Sequence, residues 1–153
     1  MSLKDQIQTV HHTALSVRDF ELMRDFLTGF IGFELEGEMD NRGEEALGTV
    51  VGLPGCKIRW AMLRFGAHRI ELFKYYTPEG ATGVERQCDR GFTHLAFQVS
   101  NVDVVHEAAV SAGHLPISAP QVMRGGATKA FYLHGPENVV FEFIEFPQKG
   151  AEA

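Results

Sequence analysis

The stretch Gly91-Phe92-Thr93-His94-Leu95-Ala96-Phe97-Gln98-Val99 repeats in outline an earlier run, His12-Thr13-Ala14-Leu15-Ser16-Val17. Laid over one another, the two place His94 on His12, Ala96 on Ala14 and Val99 on Val17. Side chains alternate across a strand, so the histidine, the alanine and a polar residue (Ser16 or Gln98) share one face. Leu15 and Val17, or Leu95, Phe97 and Val99, take the other. The pattern predicts a strand that packs one side and presents a histidine on the other, written twice.

The segments around each copy repeat as well. In the first half, Val10 to Val17 reads as a strand, and Asp19 is placed to cap the free N–H groups of a helix carrying Leu22, Met23, Phe26, Leu27 and Phe30. Gly29 and Gly32 supply its stop. Phe33 to Glu36 is expected as a second strand, Lys57 to Phe65 as a third, and His68 to Tyr75 as a fourth after the turn at Gly66-Ala67. The acidic, glycine-rich run from Gly37 to Gly55 breaks the pattern. A short helix is expected there over Glu44 to Val51, in a mobile stretch that would act as a lid.

The second half opens with a strand over Thr93 to Ser100. Asn101 is a good N-cap, and the helix after it shows Val104, Val105, Ala108, Ala109 and Ala112 on one face before Gly113 ends it. Leu115–Ile117, Gln121–Met123, Lys129–Leu133 and Val139–Phe146 supply the remaining strands. The connection Thr77 to Gly83 is turn-rich and too short to separate independent domains. The order βαβββ therefore occurs twice, in modules at about residues 8–76 and 91–147, within one domain spanning 1–153.

The closing strands also correspond, with Arg69-Ile70-Glu71-Leu72-Phe73 over Val140-Phe141-Glu142-Phe143-Ile144. Each half thus carries one histidine and one glutamate at matching places: His12 and Glu71, His94 and Glu142. Taken singly, a strand glutamate is usually solvated and a strand histidine usually a hydrogen-bonded core or surface residue; the duplication favours a shared role. Register selects His12 over its neighbour His11. Carboxylates brought together in a partly buried place repel and lose hydration, so they need protons or a cation. A divalent ion meets that need, and imidazole with carboxylate suits Zn, Ni, Co, Mn or Fe(II).

Composition narrows the partners. The 153 residues are 44% hydrophobic, enough for one domain with a core, and carry a formal net charge of −6. Scattered, outnumbered basic residues argue against a nucleic-acid surface. No run approaches the ~20 apolar residues of a membrane span, and the first residues lack an apolar signal core, so a cytoplasmic protein is expected. Cys56 and Cys88 form no CxxC pair and are expected as two reduced thiols.

These residues resemble the vicinal oxygen chelate superfamily, which includes glyoxalase I, methylmalonyl-CoA epimerase, extradiol dioxygenases and bleomycin or fosfomycin resistance proteins. The resemblance rests on the doubled βαβββ order, His12 in His-His-Thr-Ala-Leu-Ser-Val, Phe26-Leu27 followed by Gly32-Phe33, and the ending Gly135-Pro136-Glu137-Asn138-Val139-Val140-Phe141-Glu142. It covers about residues 8 to 147. It implies an α+β fold in which the two modules make a cupped eight-stranded mixed sheet with helices outside and a metal inside the cup.

Carried over position by position, the resemblance makes His12, Glu71, His94 and Glu142 the metal ligands, a set similar to that of glyoxalase I. It implies a metal-dependent lyase or isomerase acting on a small molecule, which moves a proton alpha to a carbonyl while the metal holds adjacent substrate oxygens. Glu142 would be ligand and proton-transfer base, with Glu71 as ligand or partner base. The rival readings are an Fe(II) extradiol-type dioxygenase using His12, His94 and Glu142, an acyl-CoA epimerase, and a non-catalytic protein binding an aromatic or antibiotic ligand. Members usually form homodimers, some of which build each metal site from both chains.

Two features depart from the family pattern. Asn138 stands in the turn before the last strand where glycine usually supplies a positive φ, which asparagine tolerates. The first module is also longer: His12 to Glu71 spans 71 − 12 = 59 residues and His94 to Glu142 spans 142 − 94 = 48, the difference of 11 falling around residues 37–56. The six cations Arg18, Arg64, Arg69, Lys74, Arg124 and Lys129 are available for an anionic substrate, although each reads more simply as a solvated surface charge.

Overall fold

Asp19 opens the first helix as its position predicts: its side chain accepts the Leu22 N–H at 3.0 Å, satisfying one of the donors a helix start leaves unpaired. In this computed structural model the described residues are 8–81, 88, 92 and 94–146. The leader 1–7, residues 82–83 of the connection, Gly91 and Thr93 of the repeated stretch, and residue 147 lie outside them. The chain divides into two compact units, Met1–Ala81 and Thr82–Ala153.

In the first unit, strand β1 (Thr13–Ser16) leads through Asp19 into helix α1 (Phe20–Asp25), which continues over Phe26–Ile31 with a wider π-type winding. The winding stops at Gly32, whose φ of 94° is left-handed. Gly29, expected to share in the stop, lies inside the wound segment. Then follow β2 (Glu34–Arg42), α2 (Glu45–Val51), β3 (Lys57–Phe65) and β4 (His68–Thr77). The sheet order is β1-β4-β3-β2, with β1 parallel to β4 and the other pairs antiparallel.

Alternation holds throughout the central strands. Ala61, Leu63, Ile70 and Leu72 are fully buried, and Leu15 and Val17 from the β1 segment are nearly so. Their neighbours Trp60, Met62, Glu71 and Phe73 are half-buried on the opposite face. Each fully buried Leu or Ile stabilises the fold by roughly 1.5–3 kcal/mol.

The segment from residue 37 differs from expectation. Strand β2 does not end at Glu36 but runs on to Arg42 and pairs with β3 along its length, so residues 37–42 are an edge strand and not an irregular stretch. Register shifts between Leu35 and Gly37 and between Met39 and Arg42 break the period of two that would have revealed it. Helix α2 forms where expected and ends at Gly52, φ 72°.

The second unit contains β5 (Leu95–Gln98), α3 (Val102–Ser111), β6 (Leu115–Pro116), β7 (Gln121–Met123), β8 (Thr128–His134) and β9 (Val140–Glu145). Strand β5 is parallel to β9, β9 is antiparallel to β8, and β6 and β7 both pair with β8. One edge position is thus divided in two. Pro120, which has no N–H for a ladder, falls in the gap. With that division, nine segments fill eight strand positions, and the α+β plan of two βαβββ units stands.

Asn101 caps α3 as expected, accepting the Asp103 and Val104 N–H groups at 3.0 and 3.1 Å. The buried face is turned relative to the expected one: Val102 and Ala109 are buried while Val104 and Ala108 are exposed. A phenylalanine cluster fills this unit, with Phe97–Phe143 at 5.6 Å and Phe131–Phe143 at 5.2 Å between ring centroids. Many of the twelve phenylalanines therefore serve the core, Phe20, Phe26, Phe33, Phe131, Phe141 and Phe143 all being buried. Cys56 and Cys88 are free thiols, as expected. Among the described residues no helix is long and apolar enough to cross a membrane.

Candidate metal centre

The same register recurs in both units. In β1 and β4, Ala14 stands opposite Glu71; in β5 and β9, Ala96 stands opposite Glu142. Each histidine lies two residues before that alanine and shares its face, so each meets the glutamate of the adjacent parallel strand. His12 Nε2 lies 3.0 Å from Glu71 Oε2, and His94 Nε2 lies 3.3 Å from Glu142 Oε2. The glutamates are the more enclosed members, at 19% and 13% side-chain exposure against 34% and 30% for the histidines.

These separations suit a divalent ion. Two donors each about 2.1 Å from one ion stand about 3.0 Å apart at a right angle and about 3.4 Å apart at a tetrahedral angle. Both observed pairs fall within that span. Among the described residues no group of three or more His, Cys, Asp and Glu side chains is poised on one ion. Each unit brings one histidine and one glutamate together.

Neighbouring groups orient the pairs. His11, the competitor set aside on register, stands beside its neighbour: its Nδ1 is 2.8 Å from His12 Nδ1. A neutral His12 that offers its Nε2 lone pair must carry its proton on Nδ1, and His11 Nδ1 is in place to accept it. The Trp60 indole N–H donates to Glu71 Oε1 at 2.7 Å. Tyr132 lies directly opposite Glu142 in the β8–β9 ladder, hydrogen-bonds to it, and packs edge-on against the His94 ring at 5.1 Å. Burial, then the Glu142 charge and this hydrogen bond, hold the Tyr132 phenol above its ordinary pKa. Burial likewise raises Tyr75, followed by the charges of Cys56 and Glu71.

Sequence reasoning missed the roles of Trp60 and Tyr132. Tyr132 was within reach, because counting back through the turn at Gly135-Pro136 sets it opposite Glu142. Trp60 was not, since its hydrogen bond runs diagonally: it pairs with Phe73, and Met62 is the residue opposite Glu71.

Most of the cations considered for an anionic substrate are engaged elsewhere. Arg64 pairs with Glu34 and Glu36, Arg69 with Glu36, Lys129 with Asp103, and Arg18 with Glu79 at 3.7 Å. Lys74 lies over the Tyr76 ring. In the turn before the last strand, Asn138 has the expected positive φ, 61°, and Glu137 shares it at 55°.

The sequence and the fold match known proteins. Residues 9–143 match the model of the Glyoxalase/Bleomycin resistance protein/Dioxygenase superfamily. A 2-epi-5-epi-valiolone epimerase from Actinomyces sp. is 30% identical over 145 residues, covering 90% of this chain and 79% of the relative. A glyoxalase family protein from Bacillus cereus superposes with a TM-score of 0.82 at 22% identity, over 95% of this chain and 99% of that one. A mutant of the fosfomycin resistance protein of Listeria monocytogenes, solved with Mn(II) and 1S,2S-dihydroxypropylphosphonic acid, superposes at 0.61 with 18% identity, over 90% and 89%. With the twice-built His–Glu register, these matches lead to one conclusion: the chain belongs to the vicinal oxygen chelate superfamily of glyoxalases, bleomycin resistance proteins and dioxygenases.

Proposed function

We propose that the protein is a metal-dependent isomerase or lyase of glyoxalase type, whose two modules act as one domain to move a proton alpha to a carbonyl of a small substrate. The observation that carries this is the His–Glu pair built in the same register in both units. His12, Glu71, His94 and Glu142 would hold the ion, of the Zn, Ni, Co, Mn or Fe(II) class. When bound, such an ion supplies Lewis acidity toward neighbouring substrate oxygens. Glu142 serves as the base, taking the proton on a carboxylate oxygen and returning it, while Glu71 stays as ligand. Epimerisation beside a carbonyl and glyoxalase chemistry share that proton movement.

The isomerase branch is favoured over a glutathione-dependent one. The epimerase relative supports it, and the cations that glutathione carboxylates would need are largely paired with the protein's own carboxylates or, for Lys74, placed over a ring. The fosfomycin resistance neighbour was solved with Mn(II), an ion that carboxylate donors such as Glu71 and Glu142 suit.

The test is hydrogen exchange in heavy water. Protein loaded with Zn, Ni, Co or Mn is incubated with 2-epi-5-epi-valiolone, other α-hydroxyketones, acyl-CoA epimers, and methylglyoxal with glutathione. Deuterium is expected to enter the carbon alpha to the carbonyl of at least one hydroxyketone, and to stop when a chelator removes the ion. Metal-loaded protein that exchanges no alpha proton in any member, or turnover that requires oxygen, overturns the reading.

A further inference from the structure

The duplication that sets the two histidines and two glutamates in matching places fails in the groups that hold the glutamates. Glu71 has a different neighbour on each oxygen. Oε2 faces His12 Nε2 at 3.0 Å, and Oε1 accepts the Trp60 indole N–H at 2.7 Å. The indole is itself confined. The Arg42 guanidinium lies 5.7 Å from its ring centroid and is held there by Glu44 at 2.6 Å. On the adjacent strand Gly37 lies next to the ring, where an added Cβ would make an ordinary contact at 3.5 Å.

In the second unit the place equivalent to Trp60 belongs to Ala130, which pairs with Ile144 as Trp60 pairs with Phe73. Glu142 takes its hydrogen bond from a different position, that of Tyr132. The two partners are also chemically unlike. An indole N–H only donates, along a direction fixed in the ring plane, whereas a phenol hydroxyl rotates and can donate or accept. Glu142 can therefore change its hydrogen-bonding role and keep its partner. Glu71 cannot turn without losing Trp60.

We propose that Trp60 is a positioning residue that confines Glu71 to binding a metal through Oε2 alone, so that Glu71 is the fixed carboxylate and Glu142 the one free to move. The inference rests on the metal-ligand reading above. Partners that orient ligating side chains typically contribute about 10–100-fold to metal affinity or activity.

Trp60→Phe keeps an aromatic ring in β3 while removing the N–H donor and part of the indole's bulk, so the melting temperature must be read beside the affinity. Zn(II) is titrated against a competing chelator into full-length wild type, Trp60→Phe and Tyr132→Phe, with the melting temperature of each metal-free protein as the control for folding. The expected result is a loss of about 10–100-fold in affinity for Trp60→Phe, less than about threefold for Tyr132→Phe, and matching melting temperatures for the metal-free proteins. Trp60 is the only tryptophan, so a second measurement needs no variant. Ni(II) added to wild type should quench its emission with the midpoint found for binding. Affinity unchanged in Trp60→Phe, an equal loss in Tyr132→Phe, or emission indifferent to a bound ion overturns the inference while the metal-ligand reading survives. Wild type that binds no ion overturns both.

Discussion

Glu142→Gln is expected to slow metal-dependent alpha-proton exchange by about 10²–10⁴-fold, the range a positioned general base contributes. The substitution keeps the shape of the side chain, and the amide oxygen can still accept from Tyr132, so β9 and its ladder to β8 are retained. What it loses is the basic oxygen that takes the proton. The amide is also a poorer ligand, so the comparison is made on protein shown to carry its ion. Glu71→Gln should instead act mainly through metal affinity, with kcat recovering as the ion is raised. Rates of deuterium incorporation measured across metal concentrations separate the two. Glu142→Gln retaining activity within about fivefold, with Glu71→Gln inactive at saturating metal, would exchange the roles assigned to them.

Phe141→Ala is expected to destabilise the protein by about 3–5 kcal/mol, the usual cost of emptying a fully enclosed aromatic site. Phe141 is fully buried, next to Glu142 in β9, and stacks on Phe97 at 6.1 Å. It also sets a limit on the turn that precedes it. A Cβ on Gly135 would come within 2.5 Å of Phe141 Cε2 and 2.9 Å of Cδ2, so glycine is needed there for space. Urea unfolding should show a lower midpoint for Phe141→Ala with little change in slope, and a far smaller shift for Phe65→Ala, whose ring is 50% exposed. Equal shifts for the two would mean that the Phe141 ring is not packed as described.

The central strands and the His–Glu pairing could be read from the sequence because burial on one face imposes a period of two. Leu15 and Val17, Ala61 and Leu63, and Ile70 and Leu72 all follow it, and the same rhythm returns around Phe97, Phe141 and Phe143. The end of β2 was hidden for the opposite reason. An edge strand is held by its ladder to one neighbour more than by a buried face, and Gly37, Glu38, Asp40 and Asn41 carry no apolar alternation. In α3, the expected face of Val104, Val105, Ala108, Ala109 and Ala112 included the buried Ala109 but passed over Val102, the first helical residue, two turns before it on the buried side.

The groups that orient the glutamates were harder to read. Hydrophobic patterning treats Trp60 and Tyr132 as bulky core-compatible residues, whereas their significance lies in one N–H and one O–H. Those matter only after the register has brought them to Glu71 and Glu142.

The claim that both His–Glu pairs are metal ligands is tested most directly by metal stoichiometry. Apo-protein is equilibrated with Zn(II) or Ni(II), freed of excess ion, and measured for metal per chain in wild type, His12→Ala and His94→Ala. One ion per wild-type chain, lost in either variant, is the expected result. It holds whether the ligands come from one chain or from two. No retained ion in wild type, or an ion unaffected by one of the two substitutions, would contradict it.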